Sequence, residues 1–380
     1  METMCMTDFP FNRFYPSIPL DPFIPFIPFH PLIRVLVADD SFFMRKLIGD
    51  ILSADPGIEV VGTAADGGQA VRMAGELRPD VITMDLDMPG VSGLDATKRI
   101  MQGEGARPIV VMVSAFTKDK ADETLECLKA GAFDCILKPS GPLSLDIERV
   151  EDELRSRVKA AAASRKPIVR SQAKHVPKPS AAGRSGVRDR HLIVIGASTG
   201  GPPVIEDILS QTDSSLRSPI LIVQHMPEAF TASFASRLDR VCPLKVKLAE
   251  NGESLKNAVA FLAPGNHHLR LSKEGADCRL SLSRDEPVKG LRPSYDVLLE
   301  SVAEHFKGSV LAIILTGMGD DGRNGVMRLK KRGATVIVQD PATCAVDGMV
   351  GAVIEDGNAD EVLAPADIAA RIQSFSSSRA

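Results

Sequence analysis

Short apolar runs alternate with stretches in which apolar residues recur every three or four positions, and this alternation occurs in two blocks. The first block has β-rich runs at 34–38, 59–62, 81–84, 109–113 and 135–137. Helix-like stretches at 41–52, 68–77, 93–101 and 118–130 separate them. Five such runs with helices between them predict a parallel α/β sheet. Residues 146–163 then carry Val150, Leu154 and Val158 at four-residue spacing, which predicts a helix with one apolar face. The second block has strand-like runs at 191–195, 220–223, 258–262, 310–315 and 334–338. Helices are expected at 203–210, 229–238 and 295–306, and a hairpin at 267–284. It predicts a second α/β domain, with no internal repeat and no helix-turn-helix pattern.

The two blocks are joined by residues 164–190, rich in Lys, Arg, Pro, Ser and Gly and without apolar periodicity. That composition reads as a flexible tether in preference to a basic docking segment. Ahead of the first block, Pro16, Pro19, Pro22, Pro25, Pro28 and Pro31 fall at every third position. This spacing suits polyproline II and forbids a helix. A disordered tail is favoured there over a ligand for a proline-binding partner. The expected division is a Pro/Phe-rich tail at 1–32, a first domain at 33–145, a helix and linker at 146–190, and a second domain at 191–380.

A length of 380 residues allows each domain its own core. The net charge of -4, with both signs mixed, provides no field for nucleic acid or an anionic membrane. The sequence shows neither a signal-peptide pattern nor a membrane-inserting span. Cys5, Cys127, Cys135, Cys242, Cys278 and Cys344 are scattered, without zinc-like spacing, which fits a reducing cytoplasm.

In an open parallel sheet, ligands sit beyond the carboxyl ends of the strands. In the first block Asp39 and Asp40 follow the first run, Asp85 the third, Ser114 the fourth and Lys138 the fifth. Three carboxylates together repel unless a hard cation such as Mg²⁺ lies among them, so the set predicts a metal and phosphoryl site. In the second block Ser198 lies in Gly196-Ala197-Ser198-Thr199-Gly200, His225 follows Leu221-Ile222-Val223, and Asp321 lies in Gly317-Met318-Gly319-Asp320-Asp321-Gly322. These are the residue types of acyl transfer, in a chain order that differs from the familiar hydrolase orders. Ser198 is expected near a helix N-terminus, where exposed amides and the helix dipole favour an oxyanion. A nucleotide-binding turn is the rival reading, although the full Gly-x-Gly-x-x-Gly spacing is missing. Spacing alone leaves Asp320 and Asp321 in competition for orienting His225.

Residues 33–140 resemble a response-regulator receiver domain, through Asp39-Asp40, Asp85 with Met88-Pro89-Gly90, Ser114-Ala115 and Lys138-Pro139. The resemblance implies a flavodoxin-like doubly wound fold, phosphorylation of Asp85 by a chemotaxis histidine kinase, and Mg²⁺ held by Asp39, Asp40, Asp85 and the Asp87 carbonyl. Ser114 and Lys138 would contact the phosphoryl oxygens. Cys135 stands where many receivers carry an aromatic residue.

Residues 192–372 resemble the catalytic domain of the chemotaxis protein-glutamate methylesterases, the CheB family. The matching stretches are Ile195 to Gly201, Gln224-His225-Met226-Pro227, Phe230-Thr231 with Phe234, Ala263-Pro264-Gly265, Arg292-Pro293-Ser294 and Leu315 to Gly319 with Asp321-Gly322. The resemblance implies a Rossmann-like hydrolytic domain with Ser198 as nucleophile, His225 as base and Asp321, in place of Asp320, as orienting acid. It also implies Thr199 and the Met318 amide at the oxyanion and substrate side, and no cofactor for ester hydrolysis. The implied substrates are methyl-accepting chemoreceptors, with glutamine deamidation as a second activity. Leu291 and Asp347 depart from residues common in the family. Control by the receiver covering the hydrolytic face is expected. The rivals are a phosphorylation-controlled binding protein on an inactive esterase fold and a hydrolase of some other ester.

Overall fold

The apolar runs of each block form one parallel sheet with helices on both faces. The structure, a computed structural model, describes residues 32–103, 107–115, 118–138, 147–164, 191–275 and 277–377. The proline-repeat tail and the basic tether therefore lie outside the described residues, apart from their ends.

The first domain runs β1 (Ile33–Ala38), α1 (Phe42–Ser53), β2 (Ile58–Ala64), α2 (Gly67–Leu77), β3 (Val81–Asp85), α3 (Gly93–Gln102), β4 (Ile109–Ser114), α4 (Lys118–Lys129), β5 (Asp134–Leu137) and α5 (Ile147–Ala163). Its sheet order is β2-β1-β3-β4-β5, the flavodoxin-like order, and every pair is parallel. The helices start where side chains can satisfy the first open amides: Ser41, Asp66 and Ser92 accept from Met44, Gln69 and Asp95. Helix α5 does not run out into a tether. Leu154, Val158 and Ala161 on its apolar face enter the same core as Val37, Val111 and Val113, so it is the last helical layer of the first domain.

The second domain runs β6 (His191–Ala197), α6 (Gly201–Ser210), β7 (Ile220–Gln224), α7 (Glu228–Val241), β8 (Lys245–Leu248), β9 (Val259–Leu262), then the hairpin β10 (His268–Glu274) and β11 (Asp277–Ser283). It continues with α8 (Tyr295–His305), β12 (Ser309–Ile314), α9 (Arg323–Lys330), β13 (Thr335–Gln339), α10 (Gly348–Glu355), β14 (Glu361–Leu363) and α11 (Pro365–Ser377). Seven of its nine strands form one sheet in the order β14-β13-β12-β6-β7-β9-β8, every pair parallel, and β10 and β11 pair antiparallel with each other. The chain winds outward from β6 toward β8, then returns to build β12, β13 and β14 on the other side. The reversal is a switch point beside β6, the place in an open parallel sheet where ligands bind beyond the strand ends.

Five elements of this domain escape the periodicity reading. Strand β8 is only Lys-Val-Lys-Leu, α9 buries just Gly325, Val326 and Leu329, and α10 is apolar almost all round. β14 has three residues, and α11 has a modest stripe through Ile368, Ile372 and Phe375. Each depends on the sheet for its definition.

The two domains meet through α4. Leu125 and Leu128 face Pro202, Pro203 and Phe234 around a small interdomain pocket. The buried Arg237 of α7 pairs with Glu206 of α6 at 2.5 Å and also with Glu126 of α4. Lys129 reaches Glu206 at 3.1 Å.

Candidate active site

The first domain brings Asp39, Asp40, Asp85 and Lys138 together at one sheet edge. Asp39 and Asp85, ending adjacent strands, are buried, and Asp40 is exposed. One oxygen of each lies within 4.8 Å of the others, a spacing that suits a hard cation with oxygen ligands. Lys138 Nζ lies 2.7 Å from Asp39 and 2.8 Å from Asp85. Burial pushes the Asp85 carboxyl up to about 6 despite the pull of Lys138. Burial also opposes the Lys138 ammonium, yet its hydrogen bonds to Asp39 and Asp85 hold its pKa above the usual lysine value. The pocket thus holds more negative charge than one ammonium offsets, and the donor set fits a divalent cation. Asp87 points its side chain to Lys120 of α4. Ser114 closes the pocket from β4, with Thr124 Oγ1 of α4 3.5 Å from its hydroxyl. Cys135 is buried, and its thiol pKa is raised by that burial.

In the second domain the strand order brings Ser198, His225 and Asp321 to one edge. Ser198 follows β6 at the switch point, His225 follows the neighbouring β7, and Asp321 lies in the loop after β12 on the other side. The His225 amide bonds the Ala197 carbonyl at 3.0 Å, and the Ser198 amide bonds that of Thr316 at 3.0 Å. Gln224 ties the nucleophile and histidine loops together, its Nε2 donating to the carbonyls of Ser198 (2.8 Å) and His225 (3.0 Å). His225 Nε2 meets Asp321 Oδ2 at 2.8 Å. Its Nδ1 is buried and without a hydrogen-bond partner among the described residues.

The two aspartates differ in position. Asp321 is 1% exposed and bonded to His225, whereas Asp320 points to Lys289 at 2.8 Å on the surface. Desolvation alone would raise the Asp321 carboxyl. The His225 hydrogen bond and charge, with the amides of Asp296 and Tyr295, outweigh it and hold the pKa at about 2.

One expectation fails. The start of α6 offers few of the exposed amides expected there for an oxyanion: Gly201 N–H is bonded to the Ser198 carbonyl at 2.9 Å, and the next two residues are Pro202 and Pro203. Proline has no N–H, so this helix end supplies a dipole and few donors. The same fact removes the basis of the nucleotide-binding reading, which needs a cradle of N–H groups. The facing turn comes close to the nucleophile. Gly317 runs so close that a Cβ on it would stand 2.7 Å from Ser198 Cβ, which brings the Met318 backbone alongside the nucleophile. That turn is pinned by Gly317 N to Val346 O (2.9 Å) and Met349 N to Gly317 O (3.0 Å).

Thr199 has a partner that sequence reasoning did not foresee. Its hydroxyl donates to Asp134 Oδ2 at 2.7 Å and also touches Arg157, which itself pairs with Asp134 at 2.6 Å. Asp134 and Arg157 belong to β5 and α5, so the first domain reaches the residue next to Ser198. Ser198 is 4% exposed and His225 9%, too little for a protein substrate to enter. No spacing rule in the sequence links Gln224 and Ser294 to the site; both come to it through the fold. Among the described residues no helix is long and apolar enough to cross a membrane.

The family model for CheB methylesterase matches residues 193–372, and that for the response regulator receiver domain matches residues 35–148. The protein-glutamate methylesterase/protein-glutamine glutaminase of Halalkalibacterium halodurans is 43% identical over 336 residues, covering 87% of this chain and 94% of that protein. The protein of the same name from Thermotoga maritima is 42% identical over 336 residues, covering 87% and 95%. The crystal structure of the Thermotoga maritima CheB methylesterase catalytic domain aligns with 40% identity and a TM-score of 0.48, covering 50% of this chain and 100% of that one.

Proposed function

The chain belongs to the CheB methylesterase family and carries a response-regulator receiver ahead of its catalytic domain, and from that premise we propose the following mechanism for a phosphorylation-regulated protein-glutamate methylesterase and protein-glutamine glutaminase of chemotaxis. Ser198 is the nucleophile, His225 the base and Asp321 the acid that orients it. The buried His225–Asp321 pair beside the Ser198 turn carries this reading. With Nε2 given to Asp321, Nδ1 is the ring nitrogen left to take the Ser198 proton. Ser198 Oγ attacks the side-chain carbonyl of a methylated glutamate on a methyl-accepting chemoreceptor, and the Met318 amide and Thr199 serve the oxyanion and substrate side. The proton on Nδ1 passes to the leaving methoxide, methanol departs, and water attacks the acyl-enzyme with His225 again as base. Glutamine follows the same path with ammonia as leaving group. An amide nitrogen needs its proton earlier than an ester oxygen, so deamidation is the slower reaction. The chain's own side chains carry this step without a cofactor.

Control runs through the contacts between the domains. A chemotaxis histidine kinase phosphorylates Asp85. Mg²⁺ at Asp39, Asp40, Asp85 and the Asp87 carbonyl would offset the charge of the incoming phosphoryl group, and Ser114 and Lys138 would contact its oxygens. Thr124 of α4 abuts Ser114, so a movement of that hydroxyl toward a phosphoryl oxygen is felt by the helix that sits on α6 and α7. Withdrawal of α4, and of Asp134 and Arg157 from Thr199, would open the site to a receptor helix. The scattered cysteines, without zinc-like spacing, suit a reducing cytoplasm.

The test is methanol release from a methylated chemoreceptor cytoplasmic fragment, with and without a small phosphodonor and Mg²⁺. Release that rises with the phosphodonor is expected. A folded chain that releases none under either condition would refute the reading in favour of a binding protein or another ester.

A further inference from the structure

Asp321 is held by more than the histidine it orients. Its Oδ2 accepts from His225 Nε2 (2.8 Å) and the Tyr295 amide (2.6 Å), and its Oδ1 accepts from Ser294 Oγ (2.8 Å) and the Asp296 amide (3.0 Å). Each oxygen thus has two donors, the full complement for a carboxylate. The two amides are fixed by the start of α8. Ser294 Oγ is the one backing donor on a rotatable side chain.

A second histidine fixes the segment that carries this hydroxyl. The Ser294 amide donates to His268 Nδ1 at 3.3 Å, and His268 Nε2 lies 3.1 Å from the Glu286 carbonyl. A carbonyl can only accept, so Nε2 holds the proton and Nδ1 is the acceptor. His268 is fully buried and has therefore one neutral tautomer that satisfies both neighbours. A line of hydrogen bonds runs from Glu286 through His268 and Ser294 to Asp321 and on to His225.

We propose that Ser294 is a positioning residue for the hydrolytic reaction, locking the rotation of the Asp321 carboxylate against His225, and that His268 in turn holds Ser294 in place. A carboxylate with both oxygens saturated from different directions cannot roll about its last bond. Without the hydroxyl, Oδ1 is left short of a donor and the plane of the group can tilt. The Nε2 hydrogen bond then loses alignment when the imidazolium forms, so turnover suffers and substrate binding does not.

This inference rests on Ser198, His225 and Asp321 carrying the reaction, and the experiment separates the two. Methanol release from the methylated receptor fragment is measured on the full chain with phosphodonor and Mg²⁺. Ser294→Ala is expected to lower kcat by roughly 10- to 100-fold, the range of a charge-assisted hydrogen bond, with KM unchanged. Ser294→Thr, which keeps the hydroxyl, should restore most of that loss. The low-field proton resonance of the His225–Asp321 bond should persist in the threonine variant and broaden or shift in the alanine variant. His268→Asn, whose amide oxygen replaces Nδ1 as acceptor, should keep more turnover than His268→Gln, which keeps only the donor toward Glu286. A wild-type chain that releases no methanol removes the functional reading itself. A wild-type chain that turns over, with Ser294→Ala equal to it or with an unmoved low-field resonance, overturns only the positioning role. Equal losses in the two His268 variants overturn the part assigned to His268.

Discussion

The imidazole of His225 presents Nε2 to Asp321 Oδ2 at 2.8 Å and keeps Nδ1 buried and unpartnered among the described residues. The ring is therefore used in the opposite sense to the usual serine-protease triad, where Nδ1 faces the acid. Removal of Ser198 or His225 by alanine should cut kcat on the order of 10⁶-fold, and Asp321→Ala on the order of 10⁴-fold. Circular dichroism should show the fold unchanged. A Ser198→Ala variant retaining a tenth of wild-type methanol release would exclude the assignment.

Asp321 also sets an acid limit on the catalytic domain. Its carboxyl is depressed from 3.8 to about 2, so the folded state favours the ionised form. The resulting stability, about 2 kcal/mol, is complete above the unfolded value near pH 4 and is lost as pH falls through about 2. Urea unfolding followed from pH 5 to 3 should show a steeper loss for wild type than for Asp321→Asn. Parallel curves would mean that the carboxylate is not held as described.

Asp85 has the opposite sign. Its carboxyl is raised from 3.8 to about 6, so the folded state favours the neutral form. Stability is full below about pH 4 and declines as pH rises through 6, by about 3 kcal/mol. Asp85→Asn should thus be more stable than wild type at pH 7.5 without divalent cations, and equal to it at pH 4. Mg²⁺ should narrow the gap at pH 7.5. A wild-type chain at least as stable as the variant at that pH would contradict the burial argument.

The contact of Arg157 and Asp134 with Thr199 ties the receiver to the catalytic turn. Arg157→Ala should raise methanol release in the absence of phosphodonor by roughly 5- to 10-fold, the effect of about 1 kcal/mol on a closed-to-open equilibrium. The further increase produced by phosphodonor should shrink accordingly. Unchanged basal release would place the closing energy elsewhere, in α4 and Arg237.

Gly196, just ahead of the nucleophile turn, lies over the buried ring of Tyr295, and a Cβ there would come 2.2 Å from Tyr295 Cδ1. The Tyr295 hydroxyl is anchored to the Val194 carbonyl at 2.9 Å, so the ring cannot swing aside. Gly196→Ala should destabilise the domain by about 3 kcal/mol, and Tyr295→Phe by about 1 kcal/mol, both read from urea unfolding. An alanine variant as stable as wild type would show that the ring has room to move.

Periodicity and strand-end chemistry determined much of this protein before any coordinates. Buried parallel strands must be apolar along their length, so β1, β3, β6 and β12 announce themselves, and polar residues directly after them can only lie at the sheet edge. That logic reached Asp39, Asp85, Lys138, Ser198 and His225. It could not reach what depends on contact between segments far apart in the chain. Asp320 and Asp321 are alike in sequence and differ only because the loop turns one toward His225 and the other toward Lys289. Which amides are taken up beside Ser198 also follows from three-dimensional pairing: Gly201 N–H is spent on the Ser198 carbonyl, and the Gly317 turn packs against the Ser198 side chain. The grip of Asp134 and Arg157 on Thr199 and the backing of Asp321 by Ser294 and His268 join elements dozens of residues apart. Local pattern records the state each segment can adopt; packing alone decides which side chains meet, and in this protein it joins Asp321 to His225 and Ser294, and Asp134 and Arg157 to Thr199.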